Sequence, residues 1–201
     1  MVGVRAKTYD DKRQLILERA TELFARHGFR GTSVSEIAEA CGASKALIYH
    51  YFGSKEEMLY ELLTGFIEMY HVRLERAVKK AEKPTDRLRA YLRESIAVLS
   101  KYRMNYARLF SELDALPAKQ REEVRSAERS ILELLRSTLV AINPALADNT
   151  KVTPVTLLAL GTMVWSYTWY DPARALSLDE LVELTTRFVI GGLDGVTGDG
   201  K

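Results

Sequence analysis

Three Ser-x-x-Glu pairs, Ser33/Glu36, Ser54/Glu57 and Ser177/Glu180, each precede an apolar run with helical spacing. In such a capping box the serine hydroxyl takes an orphan N–H of the first turn, and the glutamate returns to the serine's own N–H. A chain written this way marks where its helices begin, and its glycines and prolines mark where they stop. Asp11 opens a run with Leu15, Ile16, Ala20, Leu23 and Phe24 on one face, closed by Gly28. The next helices are predicted over 34–41, ended by Gly42, and over 44–52, capped by Ser44 and closed by Gly53. A long helix follows from Ser54 to about Lys83, where Pro84 interrupts it. Further helices are predicted at 86–101, 105–115, 118–142, 154–170 and 178–192, and the glycine-rich end, 194–201, reads as a flexible tail. No stretch shows the period-2 alternation of a half-buried strand. The predicted fold is all-α, with about nine helices. A three-helix N-terminal domain, residues 1–55, is joined by a long helix to a larger body, residues 56–201.

Composition excludes several classes. The single cysteine, Cys41, permits no intrachain disulfide. It sits four residues after Ile37 on the packing side of its helix and reads as a small buried hydrophobe. The first fourteen residues lack the apolar core of a signal peptide. The most apolar stretch, 152–170, is interrupted by Pro154, Gly161, Ser166 and several threonines, so a buried helix is predicted and not a membrane span. His27, His50 and His71 are too dispersed for a local metal motif, and no P-loop or dinucleotide fingerprint is present. No cofactor is expected, and the setting is read as cytoplasmic. The net charge of +2 is unevenly spread: residues 1–55 hold nine Lys/Arg against six Asp/Glu. That asymmetry fits a basic reader attached to a neutral body.

Helix 34–41, a turn at Gly42 and helix 44–52 have the dimensions of a helix-turn-helix, whose second helix enters the major groove of DNA. At 100° per residue, Lys45, Ala46, Tyr49 and His50 share one face of helix 44–52, while Leu47, Ile48, Tyr51 and Phe52 fill the rest. The polar face has the chemistry of a duplex reader. Lys45 can reach a guanine edge or a phosphate, Ala46 a thymine methyl, His50 a base and Tyr49 a phosphate oxygen. Ser33 and Ser44 stand at helix N-termini that favour phosphate, and Lys55 adds a neutralising charge.

The segment "RHGFRGTSVSEIAEACGASKALIYHYFGSKEEML", residues 26–59, resembles the N-terminal signature of the tetracycline-repressor (TetR) family of bacterial transcription regulators. Ala46 stands where glycine is common, and Cys41-Gly42-Ala43 replaces the more frequent Ala-Gly-Val. The resemblance implies DNA contacts from Ser33, Ser44, Lys45, Ala46, Tyr49, His50, Tyr51 and Lys55. It also implies a homodimer on a near-palindromic operator, released when a small molecule enters the C-terminal domain.

The body carries two further signals. Helix 154–170 is apolar all round, with Val155, Leu158, Thr162, Trp165 and Trp169 on one side and Leu160, Met163 and Val164 opposite. Helix 178–192 has a broad apolar face through Leu181, Leu184 and Phe188. Apolar surface of this extent must be covered, and two such helices from each subunit make a four-helix interface, with Val155, Leu158, Thr162, Leu181, Leu184 and Phe188 at the contact. Phe66, Tyr70, Tyr102, Tyr106, Phe110, Trp165 and Trp169 suit an amphipathic effector cavity with Arg103 and Arg108 at its mouth. Segments 101–113 and 165–181 resemble the acyl-CoA-responsive branch of the family, which implies an apolar slot for the acyl group and arginines for CoA phosphates. A helical acyl-CoA-binding enzyme or carrier, and a DNA-binding protein without an effector, are the alternatives.

Overall fold

The computed structural model describes residues 2–147, 150–171, 173 and 176–197, with only the backbone described for 2–8, 103–108, 167 and 197. Among these residues the regular structure is entirely helical. The α-helices are α1 (Val2–His27), α2 (Val34–Ala40), α3 (Lys45–Tyr51), α4 (Lys55–Lys79), α5 (Pro84–Ser111), α6 (Ala118–Ile142), α7 (Val152–Val164) and α8 (Leu178–Thr197). Short 3-10 turns occupy Leu113–Ala115, Pro144–Leu146 and Trp165–Thr168.

The all-α expectation holds, and most boundaries fall where the caps and breakers put them. Helices predicted at 86–101 and 105–115 are one helix, α5. No glycine or proline stands between Ser100 and Asn105 to stop propagation. Helix 154–170 tightens to 3-10 geometry from Trp165 onward. Helix α8 continues through Gly195 to Thr197, so the first four residues of the predicted tail are helical, and 198–201 lie outside the described residues.

Two of the three capping boxes close as read. Glu36 N–H donates to Ser33 Oγ at 3.2 Å and Ser33 N–H to the Glu36 carboxylate at 2.7 Å. The Ser177/Glu180 pair repeats this at 2.8 and 3.3 Å. At Ser54 the hydroxyl accepts from Glu57 N–H, but the Glu57 carboxylate reaches one residue further back, to the N–H of Gly53.

The chain forms two compact units, residues 1–67 with 104–125, and residues 68–103 with 126–201. In the first, α1 packs on α2 and α2 on α3. Its buried side chains include Ile16, Phe24, Phe29, Ile37, Ile48, Phe52, Met58 and Leu63, with Leu109, Leu116 and Val124 from the later segment. In the second unit Tyr91, Leu92, Ile96, Leu135, Leu139, Met163 and Leu181 are among the core residues. Two buried tyrosines there are paired, Tyr70 Oη lying 2.7 Å from Ser95 Oγ and Tyr91 Oη donating to the Ile131 carbonyl at 3.2 Å, whereas the buried Tyr170 Oη has no hydrogen-bond partner among the described residues. Burial pushes the Tyr70 phenol up to about 12, so it is a hydrogen-bonding group and not an acid near neutral pH.

The bend between α2 and α3 rests on one backbone feature. Gly42 has φ +59° and directly follows the C-cap Cys41. Its N–H bonds Glu39 O at 3.0 Å and the Ala43 N–H bonds Ala38 O at 2.9 Å, which is the Schellman arrangement. An added Cβ at Gly42 meets nothing within 4 Å, so replacement strains the backbone alone. Gly42→Ala is expected to destabilise the first unit by about 1 kcal/mol, read as a lower urea midpoint with an unchanged slope.

Candidate nucleic-acid interface

Helix α3 has seven residues, too few to persist alone in water. It is held from below by Ile48 and Phe52, both almost fully buried. Each such burial contributes about 1.5–3 kcal/mol. The Ser44 hydroxyl caps its start by accepting from Leu47 N–H at 3.1 Å, and Phe52 N–H closes its end on Ile48 O at 2.9 Å. With the underside anchored, Ser44, Lys45, Ala46, Tyr49 and His50 are all exposed. Of these, Lys45, Ala46, Tyr49 and His50 are the residues that the helical arc assigned to the reading face. The Ser44 hydroxyl uses an acceptor lone pair in the cap, which leaves its proton for a phosphate oxygen.

Three predicted positions behave differently from expectation. Lys55 is half-buried, and its ammonium donates to Phe29 O at 2.7 Å and Thr32 O at 2.8 Å while lying 4.3 Å from the Phe29 ring centre. It therefore braces the turn that follows α1, because those carbonyls have no helical partner and an ammonium supplies strong donors. The N–H of Ser33 is committed to Glu36, whose carboxyl is held below its usual range by that bond and by the Ser33 hydroxyl. Tyr51 is half-buried with its ring 4.5 Å from that of Tyr9.

Cys41 is half-buried instead of fully buried, and burial raises its thiol above the ordinary value, which suppresses thiolate. Among the described residues no group of His, Cys, Asp and Glu could hold a metal ion, and no helix is long and apolar enough to cross a membrane.

Sequence reasoning missed the contacts that tie this surface to its neighbours. Arg13 of α1 lies over the Phe52 ring at 4.8 Å and pairs with Glu61 of α4. Tyr60 donates to Glu123 at 2.6 Å, and that bond raises its phenol pKa. Partners 39 to 63 residues apart carry no periodic signal, so nothing local could have announced them.

The predicted effector residues divide between the units. Phe66 and Phe110 belong to the first and meet edge to face at 6.2 Å. Tyr70 and Tyr102 belong to the second, Tyr70 buried and Tyr102 half-buried beneath Lys101 Nζ at 5.3 Å. The side chains of Arg103, Tyr106 and Arg108 lie outside the described residues. Trp165 and Trp169 are 67% and 54% exposed, against the expectation of a lined cavity. Leu157, Leu158, Gly161 and Val164 of α7 are exposed as well, while Val155, Ala159 and Met163 are buried.

On α8, Leu184 and Phe188 are exposed at 58% and 70%, while Leu181 is buried. Val155, Leu158, Thr162, Phe188, Val189 and Leu193 line an open apolar groove of about 280 Å³ on the second unit.

A capped short helix with a basic, aromatic outer face, following α2 through a glycine turn, defines a helix-turn-helix DNA-binding protein with an attached helical body. Residues 16–62 match the family described as bacterial regulatory proteins, tetR family, and residues 81–193 match the tetracyclin repressor-like C-terminal domain. The chain belongs to the TetR family of bacterial transcriptional regulators. It is 26% identical over 189 residues to the transcriptional repressor KstR2 of Mycobacterium tuberculosis, covering 92% of this chain and 94% of that protein. A TetR-family regulator from Bordetella parapertussis superposes with a TM-score of 0.80 at 32% identity, covering 88% of this chain and 93% of that one. AibR, solved in complex with isovaleryl coenzyme A and operator DNA, shares the fold with a TM-score of 0.73 at 23% identity, covering 88% and 97%. The relatives are named as regulators and not as enzymes.

Lys45 is exposed and Lys55 is hydrogen-bonded within the chain, so their removal is expected to differ in effect. Lys45→Ala is expected to lower affinity for duplexes of any sequence and to reduce the salt slope by about one, with an unchanged melting temperature. Lys55→Ala is expected to cost about 2 kcal/mol of unfolding free energy, because two carbonyls lose a charged donor. Salt titrations of binding and urea melts of both variants check the pair.

Proposed function

We propose that this regulator is a homodimeric repressor that is released from its operator by a small hydrophobic effector, with an acyl-CoA thioester as the favoured class. The observation that carries the DNA reading is the division of α3: Ile48 is wholly buried while Lys45, Ala46, Tyr49 and His50 are exposed. Ser44, Tyr51 and the Ser33 hydroxyl extend that surface, and Lys55 serves it first by holding the turn beneath. Two copies must present α3 to successive major grooves, about 34–36 Å apart.

The second copy is argued from α7 and α8. Their exposed faces carry Leu157, Leu158, Trp165, Leu184 and Phe188, an apolar surface that one chain leaves in water. Beside them an added Cβ at Gly161, Gly191, Gly192 or Gly195 would meet nothing within 4 Å. Each helical glycine costs about 1 kcal/mol relative to alanine, and no packing within the chain requires it. Close approach of a partner helix supplies the reason. Val155, Thr162 and Leu181 lie deeper, as the floor beneath that contact.

The effector class rests on AibR, a structural neighbour solved with isovaleryl coenzyme A, and on the aromatic and basic residues of segment 101–113. Phe66, Tyr70, Tyr102, Tyr106 and Phe110 are the acyl-facing candidates, and Arg103 and Arg108 the phosphate-facing ones. Trp165 and Trp169 suit the dimer contact better than the cavity. An effector releases DNA only through unequal affinity for the DNA-bound and free conformations, and operator DNA must weaken effector binding by the same factor. The proposed setting is the bacterial cytoplasm.

Phe188→Glu is expected to leave the helix content of the chain intact, because Phe188 is exposed in it, and to convert a sedimenting dimer to monomer. A parent chain that sediments as a monomer at micromolar concentration removes the dimer from the proposal. For the effector, acyl-CoA thioesters are expected to raise the melting temperature and release selected duplex DNA, whereas free acids are not. Equal action of the free acid would assign a plain hydrophobic effector instead.

A further inference from the structure

Tyr9 lies seven residues before the first residue that matches the family's DNA-binding domain. Among the described side chains of α1 the first buried one is Ile16, and Tyr9 itself is 41% exposed beside Asp10, Asp11 and Lys12. It is a large aromatic outside the core, followed by three charged residues. Its ring partners are both on the reading helix. The Tyr9 and Tyr51 centroids are 4.5 Å apart at 36°, and Tyr9 meets His50 edge to face at 6.3 Å and 84°. Tyr51 closes the triangle on His50 at 5.4 Å and 80°.

The position of His50 makes this contact consequential. His50 is the second-last residue of a seven-residue helix, where the ladder ends and frays. Its imidazole is exposed, so nothing in the hydrophobic core fixes its χ angles. A side chain that reads a base by one or two directed hydrogen bonds discriminates only if its ring plane is held before the duplex arrives. Tyr51 is the adjacent residue on the same helix and shares any fraying of that turn. Tyr9 comes from α1, a 26-residue helix, and ties both rings to a separate and longer element.

We propose that Tyr9 is a positioning residue for sequence recognition: its ring, through contacts with Tyr51 and His50, sets the orientation from which His50 reads its base. The inference rests on the assignment of α3 as the reading helix. The aromatic ring is the acting group, and the phenol hydroxyl is dispensable.

The test uses the full-length protein and a randomised duplex DNA library. Base preferences are measured for the parent, Tyr9→Ala, Tyr9→Phe, His50→Ala and the Tyr9→Ala/His50→Ala double variant. Tyr9→Ala is expected to lose about fivefold or more of the preference at the base pair whose readout His50→Ala abolishes, with the other positions and the salt slope unchanged. Tyr9→Phe is expected to match the parent. The double variant is expected to show the base preferences of His50→Ala alone, because the ring acts through the imidazole.

Parental base preference in Tyr9→Ala overturns the inference. So does a uniform loss of affinity with a lower melting temperature, which makes the ring a structural brace only. Loss of affinity in Tyr9→Phe with a salt slope reduced by about one makes the hydroxyl a phosphate contact and also overturns it. Failure of the parent to enrich any duplex would instead remove the reading-helix assignment on which the inference rests.

Discussion

Everything that the first unit offers to a duplex depends on burying the underside of a helix too short to exist alone. Two turns of α3 contain few internal hydrogen bonds, and helix nucleation is unfavourable without tertiary support. Ile48 and Phe52 supply that support from a core that also contains Ile37 and Phe24. Arg13 adds a cation over the Phe52 ring, 4.8 Å from its centre. The flanking groups all act to stop the chain from continuing in the wrong direction. Gly42 takes up the left-handed turn, Ser44 starts the helix, and Lys55 satisfies carbonyls that neither α1 nor α2 can use. The exposed residues need no contribution to stability, which leaves Lys45, Ala46, Tyr49 and His50 available for recognition.

The second unit solves a different problem. It buries Tyr70 and Tyr91, whose hydroxyls find partners in Ser95 and the Ile131 carbonyl, and leaves the buried Tyr170 hydroxyl without one among the described residues. It also leaves a continuous apolar face on α7 and α8 in water. Helices α4, α5 and α6 each contribute residues to both units.

The order and type of the elements were legible in the sequence alone. Capping pairs, glycine stops and 3.6-residue periodicity are local signals, set by backbone hydrogen bonds within a few residues. The same periodicity identified the exposed arc of α3, because a helix of known register needs only one buried side chain to orient the rest. It could not decide which apolar face of α7 was covered. An all-round apolar helix gives no preference, and only the packing of Val155, Ala159 and Met163 shows that Trp165 and Trp169 face outward. Nor could it separate Lys45 from Lys55, two lysines on the same short motif. One extends from an exposed face and the other is drawn to carbonyls 23 and 26 residues away. The Tyr9–Tyr51–His50 triangle and the Tyr60–Glu123 bond lay equally out of reach. Local free energies along the chain determined the helices, the reader and the family resemblance. The contacts between distant residues, and therefore the work assigned to each charge and each aromatic ring, were decided only when tertiary packing brought those residues together.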